Sequence, residues 1–329
     1  MSIRIFKAGM LDTVQDTGRF GFQHLGINPG GVMDHYAAQV TNSLAGNIPG
    51  DAVIEMHFPA ATILFEQETL LALGGANFNP AINGETIPMW HPVIVSKNSI
   101  LQFRKKLEGA RCYLAINKGL KITGWLNSFS TNLIAGAGGF KGRSLKKDDV
   151  IRLNVKTDYQ KFLQGKDFVV LPWKPDIKWD KSTDNKIQVL VGNEWDQLTD
   201  DAKKKFESEL FSITALSNRM GYRLKGPSMT TWQQKELVSS AVSFGTIQWL
   251  PDGQLIVLMA DHQTTGGYPR VGHVITADLP KLAQMNSGDA IHFSIIHQKK
   301  AESILINRQH HLLQLQNACK FKLSALLSF

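Results

Sequence analysis

Short apolar runs, many of them β-branched and most bounded by Gly, Asn, Asp or Pro, recur along the whole chain, and they constrain its fold more than any other feature. Residues 61–65 (ATILF), 69–73 (TLLAL), 93–96, 100–103, 112–116 and 150–153 are of this kind in the first half. Residues 187–191, 211–215, 256–259, 274–276 and 290–295 repeat the pattern in the second. Runs this short with turn residues at their ends are the mark of strands. Many closely spaced strands with few long helical patterns predict a mainly β chain, built as barrels or sandwiches rather than a parallel α/β sheet. A loose echo of polar turn followed by alternating strand, KNSILQF at 97–103, KKDDVIRL at 146–153 and NSGDAIHF at 286–293, is consistent with a duplicated architecture.

A length of 329 residues allows two cores of ordinary size. Between the halves, residues 156–186 (KTDYQKFLQGKDFVVLPWKPDIKWDKSTDNK) are rich in Lys, Asp and Pro, which predicts an exposed connector. The expected division is a first domain at 1–155, this connector, and a second domain at 187–329. Helices are fewer. Residues 200–210 (DDAKKKFESEL) follow Thr199 as an N-cap and carry acids in the first turn. Residues 33–45 form another candidate, ended by Gly46, and the tail at 301–320 places its leucines and isoleucines at the spacing of a packing helix.

Several function classes are disfavoured. The net charge of +8 comes from lysines scattered as pairs and triplets without interleaved aromatics, so solvated outer faces are expected rather than a nucleic-acid surface. There is no run of about 18 apolar residues for a membrane span, and the opening MSIRIFKAGM lacks the core of a signal peptide. The two cysteines, Cys112 and Cys319, stand far apart, against a disulfide framework. A cytoplasmic protein is expected. GAGGFKGRS at 136–144 misses the phosphate-loop spacing and predicts a flexible turn. No nucleophile elbow and no HExxH helix is present, and His310 and His311 would point about 100° apart on a helix. Without a Met-Lys-Met tripeptide, no biotin attached to this chain is expected, and no metal.

Three glycine-rich polar stretches remain. The first, QDTGRFGFQHLGINPGGVMD at 15–34, supplies Arg19, Gln23, His24 and Asp34; the second, SNRMGYRLKGP at 217–227, supplies Asn218, Arg219, Tyr222 and Arg223. The third, DHQTTGGYPRVG at 261–272, lies between apolar runs where a plain hairpin needs only a short turn. Gly266 and Gly267 can take positive φ and expose successive backbone N–H groups, a nest suited to a carboxylate, phosphate or oxyanion. Thr264, Thr265 and Gln263 add donors, Arg270 a permanent charge, and Tyr268 a flat face for a ring.

QDTGRFGFQHLG, SNRMGYRLKGP and ADHQTTGGYPRVGHVITADLPKLAQMNSGDAIHF, in this order and spacing, resemble the biotin-dependent carboxyltransferase-like family once labelled allophanate hydrolase subunit 2. His262 stands where the family pattern has arginine, Arg270 where lysine is usual, Gly31 where serine is common and Thr17 where a hydrophobic residue is common. The resemblance implies two cyclophilin-like β-barrel domains and a heteromeric complex. Its members include the PxpC subunit of 5-oxoprolinase, the KipA regulator of a KipI-like kinase inhibitor, and a segment of urea carboxylase. The expectation is a subunit of an ATP-dependent 5-oxoprolinase, with ATP bound together with a PxpB-like partner and with a PxpA-like chain completing the enzyme; the alternatives are a KipA-like regulator binding a KipI-like kinase inhibitor and a urea-carboxylase-type biotin-dependent carboxyltransferase component. In that reading the Gly266–Gly267 nest and Arg270 hold the carboxylate or transferring phosphate, Gln263, Thr264 and Thr265 orient the lactam, and Tyr268 lies against its ring. Arg19, Gln23, Asn218 and Arg219 complete the pocket from other loops.

Overall fold

The predicted runs fold as strands whose limits mostly move by a residue or two: Thr62–Phe65, Pro92–Val95, Ile100–Phe103 and Val150–Arg152 early in the chain, and Lys186–Val191, Phe211–Ile213, Leu255–Leu258 and Ala290–Ile295 later. Others are longer, as in Thr69–Asn77 and Glu108–Ile116. The computed structural model describes residues 1–156, 158–177, 185–231 and 237–327. It is mainly β, with few helices. At 274–276 the expectation is displaced: the strand is Arg270–Val274 and the chain then turns. Val271 is a core residue, so this strand begins inside what reads as a polar loop.

Two compact units emerge, and neither is continuous in sequence. The first comprises Met1–Arg19, Asp34–Ile177 and His310–Phe329; the second comprises Phe20–Met33 and Lys178–Gln309. This differs from a linear division at 155 and 187. Met33 is wholly buried in the core of the second unit with Ile187 and Val189, which draws residues 20–33 to that unit. Residues 156–177 are part of the first unit rather than an exposed connector. Their Lys and Pro content conceals Tyr159, Leu163 and Leu171, buried with Leu70 and Ile94, and Phe168–Val170 pairs antiparallel with Pro92–Val95. Thr157 and residues 178–184 of the expected connector lie outside the described residues.

In the first unit the strands form two six-stranded sheets. One runs in the order Val150–Arg152, Ser2–Lys7, Thr62–Phe65, Ile100–Phe103, Pro80–Ile82, Glu85–Thr86. The other runs Phe168–Val170, Pro92–Val95, Thr69–Asn77, Glu108–Ile116, Val53–Met56, Thr13–Gln15. Strand alternation explains the core: Ile3 and Ile5 turn inward and are fully buried with Ile63, Phe65 and Leu101, while Arg4 between them turns out to Glu66. Helix His35–Leu44 begins at Asp34, whose side chain caps the Ala37 N–H at 2.8 Å.

The second unit is a closed barrel of seven strands. Their order is Lys186–Val191, Arg270–Val274, Thr246–Trp249, Leu255–Leu258, Gly221–Lys225, Phe211–Ile213, Ala290–Ile295, and a parallel pairing of the last with the first closes the ring. Gly221–Lys225, read in the sequence as a polar loop, is thus a barrel strand. Helix Asp200–Ser208, capped by Thr199, delivers Phe206 to the core, where its ring stacks on Phe293 at 4.6 Å. Ile247 and Trp249 pack inside the barrel. Alternation puts Thr246 and Gln248 on the outer face, yet they are only 0% and 1% exposed. A polar roof covers them.

The last helix, Gln298–Leu327, exceeds its predicted span at both ends and buries Ala301, Leu312, Leu315, Cys319 and Leu323 along one stripe. Among the described residues no helix is long and apolar enough to cross a membrane.

Candidate functional site

The roof is built from the QTTGGYP stretch. Thr265–Gly266 forms a two-stranded antiparallel ribbon with Ser240–Ala241, in the register Ser240 with Gly266 and Ala241 with Thr265. The Val242 N–H donates to the Thr264 carbonyl at 3.2 Å, which makes Ala241–Thr265 the wide pair of the ladder. In that alternation the Gly266 N–H turns into the ribbon, and the N–H groups of Thr265 and Gly267 turn to its free edge. Among the described residues neither of these two N–H groups donates to a protein acceptor.

The glycines act differently from the sequence expectation. Neither Gly266 nor Gly267 has positive φ, so no left-handed nest forms. Space is what Gly266 provides: a Cβ there would stand 2.5 Å from Gln248 Nε2. Gln248 rises from the barrel to meet the ribbon, its Oε1 accepting from Gln263 Nε2 at 3.4 Å and its Nε2 reaching the Tyr268 carbonyl at 3.5 Å. Tyr268 itself is 46% exposed, its ring available at the edge of the roof.

A β-bulge organises the charged groups. On the strand after the ribbon, Gly272 pairs with Ile247 but Arg270 pairs with Gln248, so Val271 is the extra residue. Residues three apart on a regular strand face opposite ways; here the bulge turns Arg270 and His273 to the same outer face. Arg270 does not offer a bare charge. Its Nε and Nη2 grip Glu194 at 3.0 and 2.9 Å, and its N–H donates to Glu194 Oε2 at 2.8 Å. Partial burial works to raise the Glu194 carboxyl, but the bonds from Arg270 outweigh it and hold it below the usual carboxylate range. Burial, then the nearby Arg270 charge, lowers the His273 imidazole.

The other stretches are only partly brought here. Arg219 is buried and pairs with Asp261 through Nε at 2.8 Å and Nη2 at 3.0 Å, and Nη2 also donates to the Gly31 carbonyl at 2.6 Å. One guanidinium therefore ties all three glycine-rich stretches together in the second unit, as a support under the roof rather than an arm reaching out from it. Asn218 caps its own turn, accepting from the Met220 N–H at 2.7 Å, and Gln23 does the same for Gly21 at 3.0 Å. Arg19 belongs to the first unit, buried, donating to the Ser130 carbonyl with its guanidinium 4.7 Å over Trp125. His262 is buried beneath the start of the loop, its Nδ1 2.6 Å from the Gln263 carbonyl, and burial lowers its imidazole.

Sequence reasoning passed over Glu194, Thr246, Gln248 and His273. The alternation T-I-Q-W at 246–249, polar on one face and apolar on the other, carried a signal for two of them. Glu194 had none, since its partner Arg270 lies 76 residues on. Among the described residues no group of three or more His, Cys, Asp or Glu side chains is arranged to hold a metal ion. The site's chemistry is that of outward N–H donors beside ordered amides, suited to an anionic oxygen and an amide on one small molecule.

The chain as a whole has known counterparts. The model of the carboxyltransferase domain, subdomain A and B, matches residues 25–295. The C subunit of 5-oxoprolinase from Escherichia coli is 33% identical over 291 residues, 88% of this chain and 90% of that protein. Its counterpart from Haemophilus influenzae, also a 5-oxoprolinase C subunit, is 31% identical over 304 residues, 92% of this chain and 94% of that one. The crystal structure of K. lactis urea amidolyase superposes with a TM-score of 0.85 at 25% identity, over 95% of this chain but only 20% of the larger protein, so this chain spans about a fifth of its length. With the match running from the turn at Leu25 to the end of the last barrel strand, the chain belongs to the carboxyltransferase-domain family, subdomains A and B.

Proposed function

We propose that this chain is the C subunit of an ATP-dependent 5-oxoprolinase, acting with PxpB-like and PxpA-like subunits to convert 5-oxo-L-proline, ATP and water to L-glutamate, ADP and phosphate. The observation that carries this reading is coverage in both directions: the two 5-oxoprolinase relatives match over 88% and 92% of this chain and over 90% and 94% of their own lengths. ATP is bound with a partner subunit in this reading, and this chain carries no biotin.

The chemistry asks for what the roof offers. A lactam carbonyl is a weak electrophile; phosphorylating its oxygen activates the carbon, so that one water adds and the ring C–N bond breaks to free the amine and leave an acyl phosphate, from which a second water releases phosphate. The Thr265 and Gly267 N–H groups take the substrate carboxylate or the transferring phosphate. Gln263, held by Gln248, and Thr264 orient the lactam, and Tyr268 lies against its ring. Arg270 acts as half of an ion pair with Glu194 that holds the bulged strand, and Arg219 as the support under the loop; Asn218 and Gln23 shape their own turns, and Arg19 serves the first unit. A urea-carboxylase-type carboxyltransferase is the second reading, favoured by the superposition on urea amidolyase; there the same N–H groups would hold the carboxylate of carboxybiotin.

Co-expression with PxpA-like and PxpB-like chains separates these. Glutamate release from 5-oxo-L-proline is expected only when all three chains and ATP are present. A complex that forms but releases no glutamate, and instead moves carboxylate from a biotin carrier, would establish the second reading.

A further inference from the structure

From the buried Thr246 to the exposed Ser243, three side chains form a hydrogen-bonded line beside the ribbon. His273 Nδ1 lies 3.3 Å from Thr246 Oγ1, and Thr246 Oγ1 lies 3.2 Å from Ser243 Oγ. The Ser243 N–H also donates to Thr246 Oγ1 at 3.1 Å. Thr246 is completely buried, so solvent does not replace either partner. Ser243 directly follows Val242, whose N–H holds Thr264 in the ribbon. His273 joins this line because it stands directly opposite Thr246 in the regular part of the ladder, before the bulge at Val271.

A threonine hydroxyl has one proton and two lone pairs. The Ser243 N–H occupies one lone pair. With the imidazole neutral and Nδ1 an acceptor, the Thr246 proton goes to His273, and the second lone pair receives the Ser243 O–H. Ser243 then shows the site only acceptor lone pairs. With the imidazole protonated, its Nδ1–H takes that second lone pair, Thr246 turns its proton to Ser243, and the Ser243 proton is released outward. We infer that His273 is a positioning residue that decides, through Thr246, whether Ser243 presents an acceptor or a donor to the site.

The substrate consequence rests on the 5-oxoprolinase reading: a lactam ring N–H is a donor and requires the acceptor state. Among the described residues, the charged groups that face His273 are Arg270 on its own strand and Glu194 from the turn before Trp195–Gln197. The adjoining strands set Leu190 and Thr246 opposite it. Burial and Arg270 favour the neutral ring and Glu194 opposes them, with the first two prevailing.

Two measurements test this. In the full chain labelled with 13C-histidine, the His273 signal, assigned by its loss in His273→Gln, should titrate below the ordinary histidine range. Thr246→Val should move that titration and Thr246→Ser should leave it in place. In the assembled complex, kcat/KM for 5-oxo-L-proline should fall on an acid limb with the same midpoint, about tenfold for each pH unit below it. His273→Gln, whose side-chain oxygen accepts from Thr246 but cannot be protonated there, should lose this limb and vary less than about twofold over the same unit. An acid limb unchanged in His273→Gln, or an imidazole titration identical in Thr246→Val and Thr246→Ser, would overturn the inference. A complex with no turnover of 5-oxo-L-proline would count against the functional reading alone, because the titration still decides whether Thr246 links the two side chains.

Discussion

Replacing Arg219 with alanine is expected to destabilise the second unit by about 3 kcal/mol or more. The side chains of Arg219 and Asp261 are only 7% and 14% exposed, so the pair is one in which removing a single partner strands a charge away from water. The loss extends beyond the pair, because the Gly31 carbonyl gives up its donor as well. Denaturant unfolding of wild type, Arg219→Ala, Asp261→Ala and the double variant measures this. Each single change should lower the transition midpoint strongly, and the double variant should lose clearly less than the sum, since it strands no charge. Additive losses would mean that the two side chains contribute independently. Because Asp261 opens the segment leading to the ribbon, Arg219→Ala should also depress turnover of the assembled complex at temperatures where it remains folded.

Gly266→Ala is expected to lower kcat/KM about 100-fold, the scale of a displacement of about 1 Å at a reacting site. The new Cβ would meet Gln248 Nε2 at 2.5 Å, so the amide of Gln248, which is 1% exposed, has to shift to admit it. Its displacement carries Gln263 with it through the amide pair. The accompanying loss of stability should be about 1–3 kcal/mol, that of a local overpacking. Gly267→Ala is the matched control for crowding: among the described residues the atoms nearest its added Cβ, the Leu237 carbonyl and Ser239 Oγ, stand at 3.4 Å and its φ is not left-handed. It should retain turnover within about tenfold. Equal losses in the two variants would show that spacing against Gln248 is not what Gly266 supplies.

The strands were legible because a strand's signal is local. Residues 100–103 and 290–295 carry their own alternation and turn residues, and the structure returns both spans unchanged. Thr199 was legible as a helix start for the same reason, whereas Asp34, read as a polar handle of the first glycine-rich stretch, is a helix cap. What the sequence concealed depends on distant contacts. Tyr159, Leu163 and Leu171 are spaced among lysines and prolines, and their burial follows from pairing with Pro92–Val95, a partner no local pattern names. Ser2–Lys7, Val53–Met56 and Thr246–Trp249 were passed over, being short and interrupted by charged or polar residues that face outward or beneath another element.

The site divides along the same line. QTTGGYP announced itself by composition, and its position over the barrel follows from the structure. The role expected of its glycines changed once the ribbon was seen, because an extended strand leaves every second N–H outward without any left-handed residue. Arg270 and Arg219 read alike in the sequence, as free cations. Their partners, Glu194 and Asp261, lie 76 and 42 residues away and decide that both charges are already neutralised. The bulge at Val271 was invisible because it is a property of two strands in register, not of one.

A crystal structure of the assembled complex with 5-oxo-L-proline tests the central claim most directly. The account places an anionic oxygen of the substrate or its phosphorylated form at about 3 Å from both the Thr265 and the Gly267 nitrogens, with Gln263 on the lactam. Ligand density elsewhere, with those two N–H groups facing bulk water or taken by a partner's main chain, would contradict it.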